Sequence, residues 1–411
     1  MISDKMLRLI AKKENIDINV LKRNIARGLA VVLANKNHKN IRPIAVGKDL
    51  TVKVNANIGA SPNDLCLKNE LKKLNAAIEA GADAVMDLTI SRCSSDIDKI
   101  RKAIIEHCPC PLGTVPIYQA AIESGGVKCM AIKDYLKVLE RQAEEGVDFV
   151  TIHSGVTRAA LSLVKKRQIP VVSRGGSFLL EWMARNKKEN FLYEYFDEIL
   201  DIAKEYNVTI SLGDGLRPGC IADSTDRAQV YELEVLGELA LKARQKGVQV
   251  IIEGPGHIPL NEIKKNVELE KKICRGAPFY VLGPLPIDTA VGYDHIACSI
   301  GGALAGYCGA DFLCYVTPKE HIGLPDVEDV RQGVVITKIA ASIADIARGN
   351  KKAISQNKLM SKARKNFDWV KMREYAIDPK KFKELLSKAP RLKKGGCSMC
   401  GDEFCALKVY R

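Results

Sequence analysis

From residue 50 onward one pattern recurs: a short run rich in β-branched residues, a polar or glycine-rich turn, then a longer segment with helical spacing. The runs are VKVNAN (52–57), AVMDL (84–88), TVPIY (114–118), FVTIH (149–153), PVVSR (170–174), VTISL (208–212), VQVIIEG (248–254) and FYVLG (279–283). Gaps of about 20 to 40 residues leave room for a helix between successive strands, and such a crossover makes neighbouring strands parallel. Eight units are the number that closes a barrel, so the sequence predicts an α/β fold of the (β/α)8 TIM type. An open doubly wound sheet is the alternative that spacing alone leaves.

The residues that follow the runs read, in order, NIGAS, TISR, QAAIES, SGV, GGS, GDGLRPG, PGH and PLPID. Any one of these is an ordinary turn. Together they put polar, charged and glycine residues at the carboxyl end of every expected strand, where a parallel barrel builds its active site. Residues 1–48 read as a short N-terminal extension and 49–350 as the barrel. Its last part is a glycine-studded apolar segment (292–325), read as a helix and one further strand, then a helix over 327–349. Residues 351–411 read as a basic helical tail ending in CSMCGDEFC (397–405).

Charge separates these parts. Of the net +14, residues 351–394 contribute 15 Lys/Arg against 4 Asp/Glu, and residues 1–40 contribute 9 against 3, which leaves the remainder at −3. A slightly acidic body with basic ends lacks the continuous basic face that a polyanion needs, so nucleic acid is not an expected partner. The tail charges suit a solvated helical segment, or one that docks on an acidic surface of this or a partner chain. MISDKMLRLIAKK at the start is charged throughout and has no signal-peptide core. The longest weakly polar run, ACSIGGALAGYCGA (297–310), is too short to cross a bilayer. Thirteen cysteines, an odd number, then read as reduced thiols in a cytoplasmic protein rather than as a disulfide framework.

Three groups of residues carry chemistry. Cys397, Cys400 and Cys405 have no fourth ligand nearby, the nearest upstream histidine being His321. A structural zinc wants four ligands, whereas a four-iron cluster held by three thiolates leaves one iron open. An iron–sulfur cluster, a zinc site completed elsewhere and incidental cysteines all remain open on spacing alone. Of six histidines, His153, His257, His295 and His321 lie near or beyond strand ends, and His257 (EGPGH) with His321 (TPKEH) could form a two-imidazole metal site. An ordinary surface or core histidine is the alternative reading for each. GDGLRPG (213–219) and SRGGS (173–177) each join glycines to one arginine, a combination that suits a phosphate or carboxylate, while Asp214 and Glu253 at strand ends could bind polar groups or move protons.

Taken in order, ARGLAVVLANKNH, KVNANIG, GTVPIYQA, TIHSGV, VSRGGS, SLGDGLRPG, EGPGHIP, APFYVLGPL, GYDHI, LCYVTPKEH and CSMCGDEFC span nearly the whole chain. In these motifs the sequence resembles the phosphomethylpyrimidine synthase family of non-standard radical S-adenosylmethionine enzymes. The resemblance implies that Cys397, Cys400 and Cys405 bind a [4Fe-4S] cluster whose open iron chelates S-adenosylmethionine, with an electron donor required. It implies a homodimer in which the tail of one subunit covers the barrel mouth of the other. The implied substrate is 5-aminoimidazole ribotide, converted to 4-amino-5-hydroxymethyl-2-methylpyrimidine phosphate with formate and carbon monoxide released.

The family's metal-binding histidines fall on His257 and His321, for zinc or ferrous iron. Its substrate contacts fall on Asn57, Met86, Tyr118, His153, Ser173, Arg174, Gly175, Asp214, Gly215, Leu216, Arg217, Glu253 and Tyr280. Three stretches depart from the family pattern. Thr89-Ile90-Ser91 stands where Ser-Thr-Gly is usual, Thr289-Ala290-Val291 precedes Gly292 where the usual residues are Ile-Ala-Pro, and Leu33 replaces a proline. Two of these lie near the expected pocket, so a relative making 5-hydroxybenzimidazole from the same substrate is the second reading.

Overall fold

In the computed structural model, which describes residues 2–390, 396–401 and 403–409, eight parallel strands close on themselves. Ahead of them, α1 (Asp4–Glu14), α2 (Ile18–Ala26) and an antiparallel pair, β1 (Ala30–Leu33) and β2 (Ile44–Gly47), form the extension. The barrel strands are β3 (Lys53–Ile58), β4 (Ala84–Asp87), β5 (Leu112–Thr114), β6 (Phe149–Ile152), β7 (Thr209–Leu212), β8 (Val250–Gly254), β9 (Phe279–Leu282) and β10 (Phe312–Cys314). Each pairs with the next in sequence, and β10 closes the ring by pairing with both β9 and β3.

Two expected strands are corrected. PVVSR (170–174) forms no strand: Val172 is 42% exposed, which the doubly covered strand of a parallel barrel does not tolerate, and Ser173 instead caps a helix with its side chain. TVPIY is strand only to Thr114, because Pro116 opens a helix at the position where proline is well placed. The further strand expected after the eighth run is therefore the one that completes the barrel, as β10.

The outer helices are α3 (Leu67–Glu79), α4 (Ser94–His107), α5 (Pro116–Glu123), α6 (Ile132–Glu145), α7 (Arg174–Asn186), α8 (Phe191–Glu194), α9 (Phe196–Tyr206), α10 (Arg227–Lys246), α11 (Leu260–Ile273), α12 (Asp294–Cys308) and α13 (Val327–Ala347). α6 shows why they dock: Tyr135, Val138, Leu139, Gln142 and Ala143 recur three and one apart, giving one buried stripe, and Gly146 ends the helix at φ +108°. Inside the barrel, Gly113 and Gly254 leave room for the rings of Phe149 and Phe279; a Cβ on either would stand within 2.3 Å of ring carbon. Tyr280 stacks on Phe312 at 4.4 Å.

The extension plugs the amino end of the barrel. Glu14 of α1 is buried, accepts from Thr51 N at 2.8 Å, and pairs with the buried Lys53 of β3 at 3.2 Å. Burial works against the Glu14 charge, but Lys53 and the Thr51 donors outweigh it and hold the carboxyl below its usual value.

By internal packing the chain divides into residues 1–344 and 345–411. The second unit holds α14 (Lys351–Lys365), α15 (Trp369–Tyr375), α16 (Pro379–Lys388) and α17 (Ala406–Val409). Asn350, Asp368 and Asp378 cap the first three. α14 buries only Ala363, so its lysines are solvated. Arg391, Lys393 and Lys394 of the basic stretch, and Asp402 within the cysteine motif, lie outside the described residues. Among the described residues no helix is long and apolar enough to cross a membrane.

Candidate active site

At the carboxyl end of the barrel the strand ends surround a cavity of about 520 Å3. Asn57 comes from β3, Met86 from β4, Tyr118 from the first turn of α5, and Thr151 with His153 from β6 and the residue after it. Ser173 caps α7, Asp214 and Arg217 sit in the loop after β7, Glu253 is the last residue but one of β8, Tyr280 belongs to β9 and Cys314 to β10. Nine residues that the family resemblance singles out thus line one wall or another of a single cavity. Thr151, Leu88, Val115 and Cys314 line it too, without having been expected there.

Hydrogen bonds fix most of these groups from below. Glu253 Oε1 accepts from Thr151 Oγ1 at 2.7 Å and Ser211 Oγ at 2.6 Å. Asn55, one residue pair deeper in β3, donates to both Asn57 Oδ1 and Tyr280 Oη at 2.8 Å. Asn57 Nδ2 donates to Cys314 Sγ at 3.1 Å. Ser173 Oγ lies 3.1 Å from His153 Nε2 and accepts from Gly176 N at the same distance. Arg217 Nη1 donates to Asp214 Oδ1 at 3.2 Å.

The electrostatics follow from burial. It pushes the Asp214 carboxyl up to about 8, the Arg217 guanidinium opposing and the Glu253 charge adding to the shift. Glu253 is raised for the same reason, against the pull of Ser211, Thr151 and Arg217. Burial, helped by Arg217, drives His153 down to about 3, so its imidazole is neutral at any ordinary pH. The Cys314 thiol is pushed up to about 12 by burial and stays protonated. Asp214 therefore carries a proton at neutral pH, in a cavity that also holds a permanent cation.

Four expected contacts sit outside this cavity. Arg174 lines an adjoining one, with Gly59, Glu320 and Leu324, and stacks its guanidinium 4.8 Å over the Tyr118 ring. Gly175 lies against His153, where a Cβ would come within 2.3 Å of the imidazole. Gly215 presses on Val156 and on Gly176, and Leu216 is fully buried beneath the loop.

Beside the mouth, His257 and His321 bring their Nε2 atoms to 3.3 Å from each other. Each Nδ1 is held by a carboxylate, Asp288 at 2.7 Å for His257 and Asp294 at 3.1 Å for His321. Two imidazoles on one tetrahedral ion with metal–nitrogen bonds of about 2.0–2.1 Å stand about 3.3 Å apart, and metal-bound histidines commonly give their second nitrogen to a carboxylate. The donor set thus fits a divalent cation with open positions, although among the described residues no group of three or more ligating side chains gathers. His295 is separate, its Nε2 lying 3.0 Å from Gln332 Nε2. Asp288 and Asp294 were legible only as members of PLPID and GYDHI, with nothing in their spacing to link them to the two histidines.

In the second unit, Cys397 and Cys400 are exposed and Cys405 is buried. Gly396 (φ +115°) and Gly401 (φ +69°) provide the tight turns, and the Met399 amide points at Cys397 Sγ from 3.5 Å. Among the described residues these three thiols do not gather into one ligand group, so their assignment to a cluster rests on the family resemblance.

Charged groups this deeply set at the open end of a parallel barrel serve chemistry on a bound small molecule, and the class they define is a (β/α)8 enzyme. Within that class, the chain matches the Radical SAM ThiC family over residues 1–411 and belongs to it. It is 52% identical to a phosphomethylpyrimidine synthase of Thermotoga petrophila over 99% of this chain and 96% of that one. A protein of the same name from Caldanaerobacter subterraneus subsp. tengcongensis is 51% identical over 98% and 94%, and one from Geobacter metallireducens 50% over 99% and 94%. Membership of this family makes the chain a radical enzyme that uses S-adenosylmethionine and a [4Fe-4S] cluster.

Proposed function

We propose that the chain is a phosphomethylpyrimidine synthase, converting 5-aminoimidazole ribotide to 4-amino-5-hydroxymethyl-2-methylpyrimidine phosphate with loss of formate and carbon monoxide. The observation that carries this reading is the convergence of nine family-implied residues on one cavity, in a chain half identical to proteins of that name over nearly its full length.

On this reading Cys397, Cys400 and Cys405 hold the cluster and leave one iron for S-adenosylmethionine, and an external donor supplies the electron. When bound and reduced, that centre provides a primary carbon radical by one-electron cleavage of the sulfonium. The barrel residues bind and orient the ribotide. Arg174, at a helix N-terminus and without an ion-pair partner among the described residues, is the candidate for its phosphate. Protonated Asp214 donates a hydrogen bond or a proton, Glu253 accepts one, and neutral His153 is oriented by Ser173. His257 and His321 would hold zinc or ferrous iron, which supplies a Lewis acid with open positions for carboxylate, amine or water.

A homodimer is supported by Ile296, Ile300 and Tyr307, which form one exposed apolar face of α12 beside the exposed Ile339 and Ile343 of α13. Thirteen cysteines, with no disulfide among the described residues, suit a cytoplasmic setting. The departures from the family pattern that lie near the pocket bear on the product. Ile90, within the unusual Thr89-Ile90-Ser91 stretch, lines the adjoining cavity, and Leu88 just before it lines both.

The deciding experiment is anaerobic reconstitution with iron and sulfide, then reaction with reductant, S-adenosylmethionine and 5-aminoimidazole ribotide, followed by mass analysis. Deoxyadenosine with the phosphorylated pyrimidine is expected. Deoxyadenosine with hydroxybenzimidazole would replace the product, and a fully loaded cluster that yields no deoxyadenosine would overturn the reading.

A further inference from the structure

Asp214 leaves one carboxyl oxygen over. Its Oδ1 meets Arg217, but Oδ2 is buried with no hydrogen-bond partner among the described residues. A second carboxyl with the same property lies directly behind the loop. Glu232, in the second turn of α10, is 2% exposed; its Oε2 accepts from Leu216 N at 2.7 Å, and its Oε1 is buried without a partner. Both side chains line a second small cavity behind the substrate site, whose walls include Gln229, Pro255, Asn266 and Phe279. Partnerless buried carboxyl oxygens are costly, and a small cavity with polar walls is where an ordered water is retained.

We infer that Glu232 is a positioning residue for the reaction: from behind the loop it fixes Leu216, and so Asp214 and Arg217, and through one buried water it shares a proton with Asp214. In the exchange an O–H bond breaks on one carboxyl as the water takes that proton and passes one of its own to the other. The pair thereby keeps one proton and one negative charge between them. The charged and titratable groups facing the pair are Arg217 of the same loop, Glu253 of β8 and Arg167 from the segment before α7, with His153 and Tyr118 beyond Arg217. Burial raises the Glu232 carboxyl well above its usual value and the Asp214 charge adds to it, against the Leu216 and Gly215 amides and Arg167.

The positioning role rests on the proposed use of the front cavity by the substrate, whereas the shared proton does not. The test therefore begins on substrate-free protein, by infrared titration of the protonated-carboxyl band. Asp214→Asn should remove a band that titrates near pH 8. Glu232→Gln keeps an acceptor for Leu216 but leaves a single carboxyl, so the higher of the two apparent midpoints of the coupled pair should fall by about one pH unit. Reciprocally, Asp214→Asn should lower the Glu232 midpoint, which keeps the test alive if one variant folds poorly. Midpoints that stay put in both variants overturn the shared proton.

In the reconstituted enzyme, Glu232→Gln should move one limb of the pH profile of kcat/KM down by the same amount with KM nearly unchanged. Glu232→Ala, which releases Leu216, should raise KM roughly tenfold or more. If the infrared shift appears and both kinetic effects are missing, the proton is shared but the front cavity is not the substrate site.

Discussion

Burial decides what each ionisable side chain in this barrel can do, and its sign is testable away from the active site. Glu270 of α11 is fully buried, its ion-pair partner is Lys271 Nζ at 3.5 Å from Oε2, and burial pushes its pKa up to about 8 against that cation. An unfolded glutamate ionises near 4.5, so between these values the folded chain holds one more proton and stability falls as pH rises. Glu270→Gln removes that penalty. Its thermal midpoint should match the native protein at pH 4.5 and exceed it by roughly 2 °C or more at pH 8.5, followed by circular dichroism on cluster-free protein. The metal-site residues invite a different measurement. His257→Ala should abolish one zinc or iron per chain while leaving cluster iron and sulfide unchanged, and Asp288→Ala should weaken that metal by roughly 10- to 100-fold. Much at this scale was legible in the sequence: Asp214, Arg217, Glu253 and the histidines announce themselves because glycine-rich strand ends rarely hold charge without a use. Asp288, Asp294 and Glu232 did not, since a carboxylate that acts through another residue is found only when the fold brings the two together.

Elements were read from local chemistry, and they failed where local chemistry is ambiguous. PVVSR has the β-branched character of a strand, but it sits between short 3-10 turns and a capped helix, and no neighbour offers it a ladder. FLC (312–314), with no β-branched residue, is a strand because β9 and β3 stand on either side with free backbone edges. Its burial, not its propensity, decides. The turn after the false strand matters most for function, because α7 begins there and presses on the loop that carries Asp214. A Cβ on Gly176 would lie 2.1 Å from Gly215 O, a backbone atom that cannot step aside cheaply. Gly176→Ala should therefore push the 213–217 loop away, lowering kcat/KM at least roughly tenfold while the far-ultraviolet spectrum keeps its barrel form. Unchanged kinetics would mean that the loop adapts and that the tight α7 contact does not position Asp214.

At the scale of the whole molecule, the proposed function puts two chemistries on separate units: substrate groups on the barrel, within residues 1–344, and cluster thiols on the tail, within 345–411. Radical transfer requires them to meet, and the family resemblance implies that they meet across a dimer. Two inactive variants separate that arrangement from a meeting within one chain. Cys397→Ala leaves the barrel whole and disables the tail, and Arg217→Ala does the reverse. If each barrel uses its own tail, no mixture of the two has an intact site. If each barrel uses its partner's tail, every mixed dimer has one intact site of two. Co-expression with unlike affinity tags gives about half mixed dimers, so the mixture should recover roughly a quarter of native activity and the purified mixed dimer about half. Deoxyadenosine release after anaerobic reconstitution is the readout, with cluster iron measured in each preparation to exclude unequal loading. Activity no higher than either variant alone would place tail and barrel partners in the same chain.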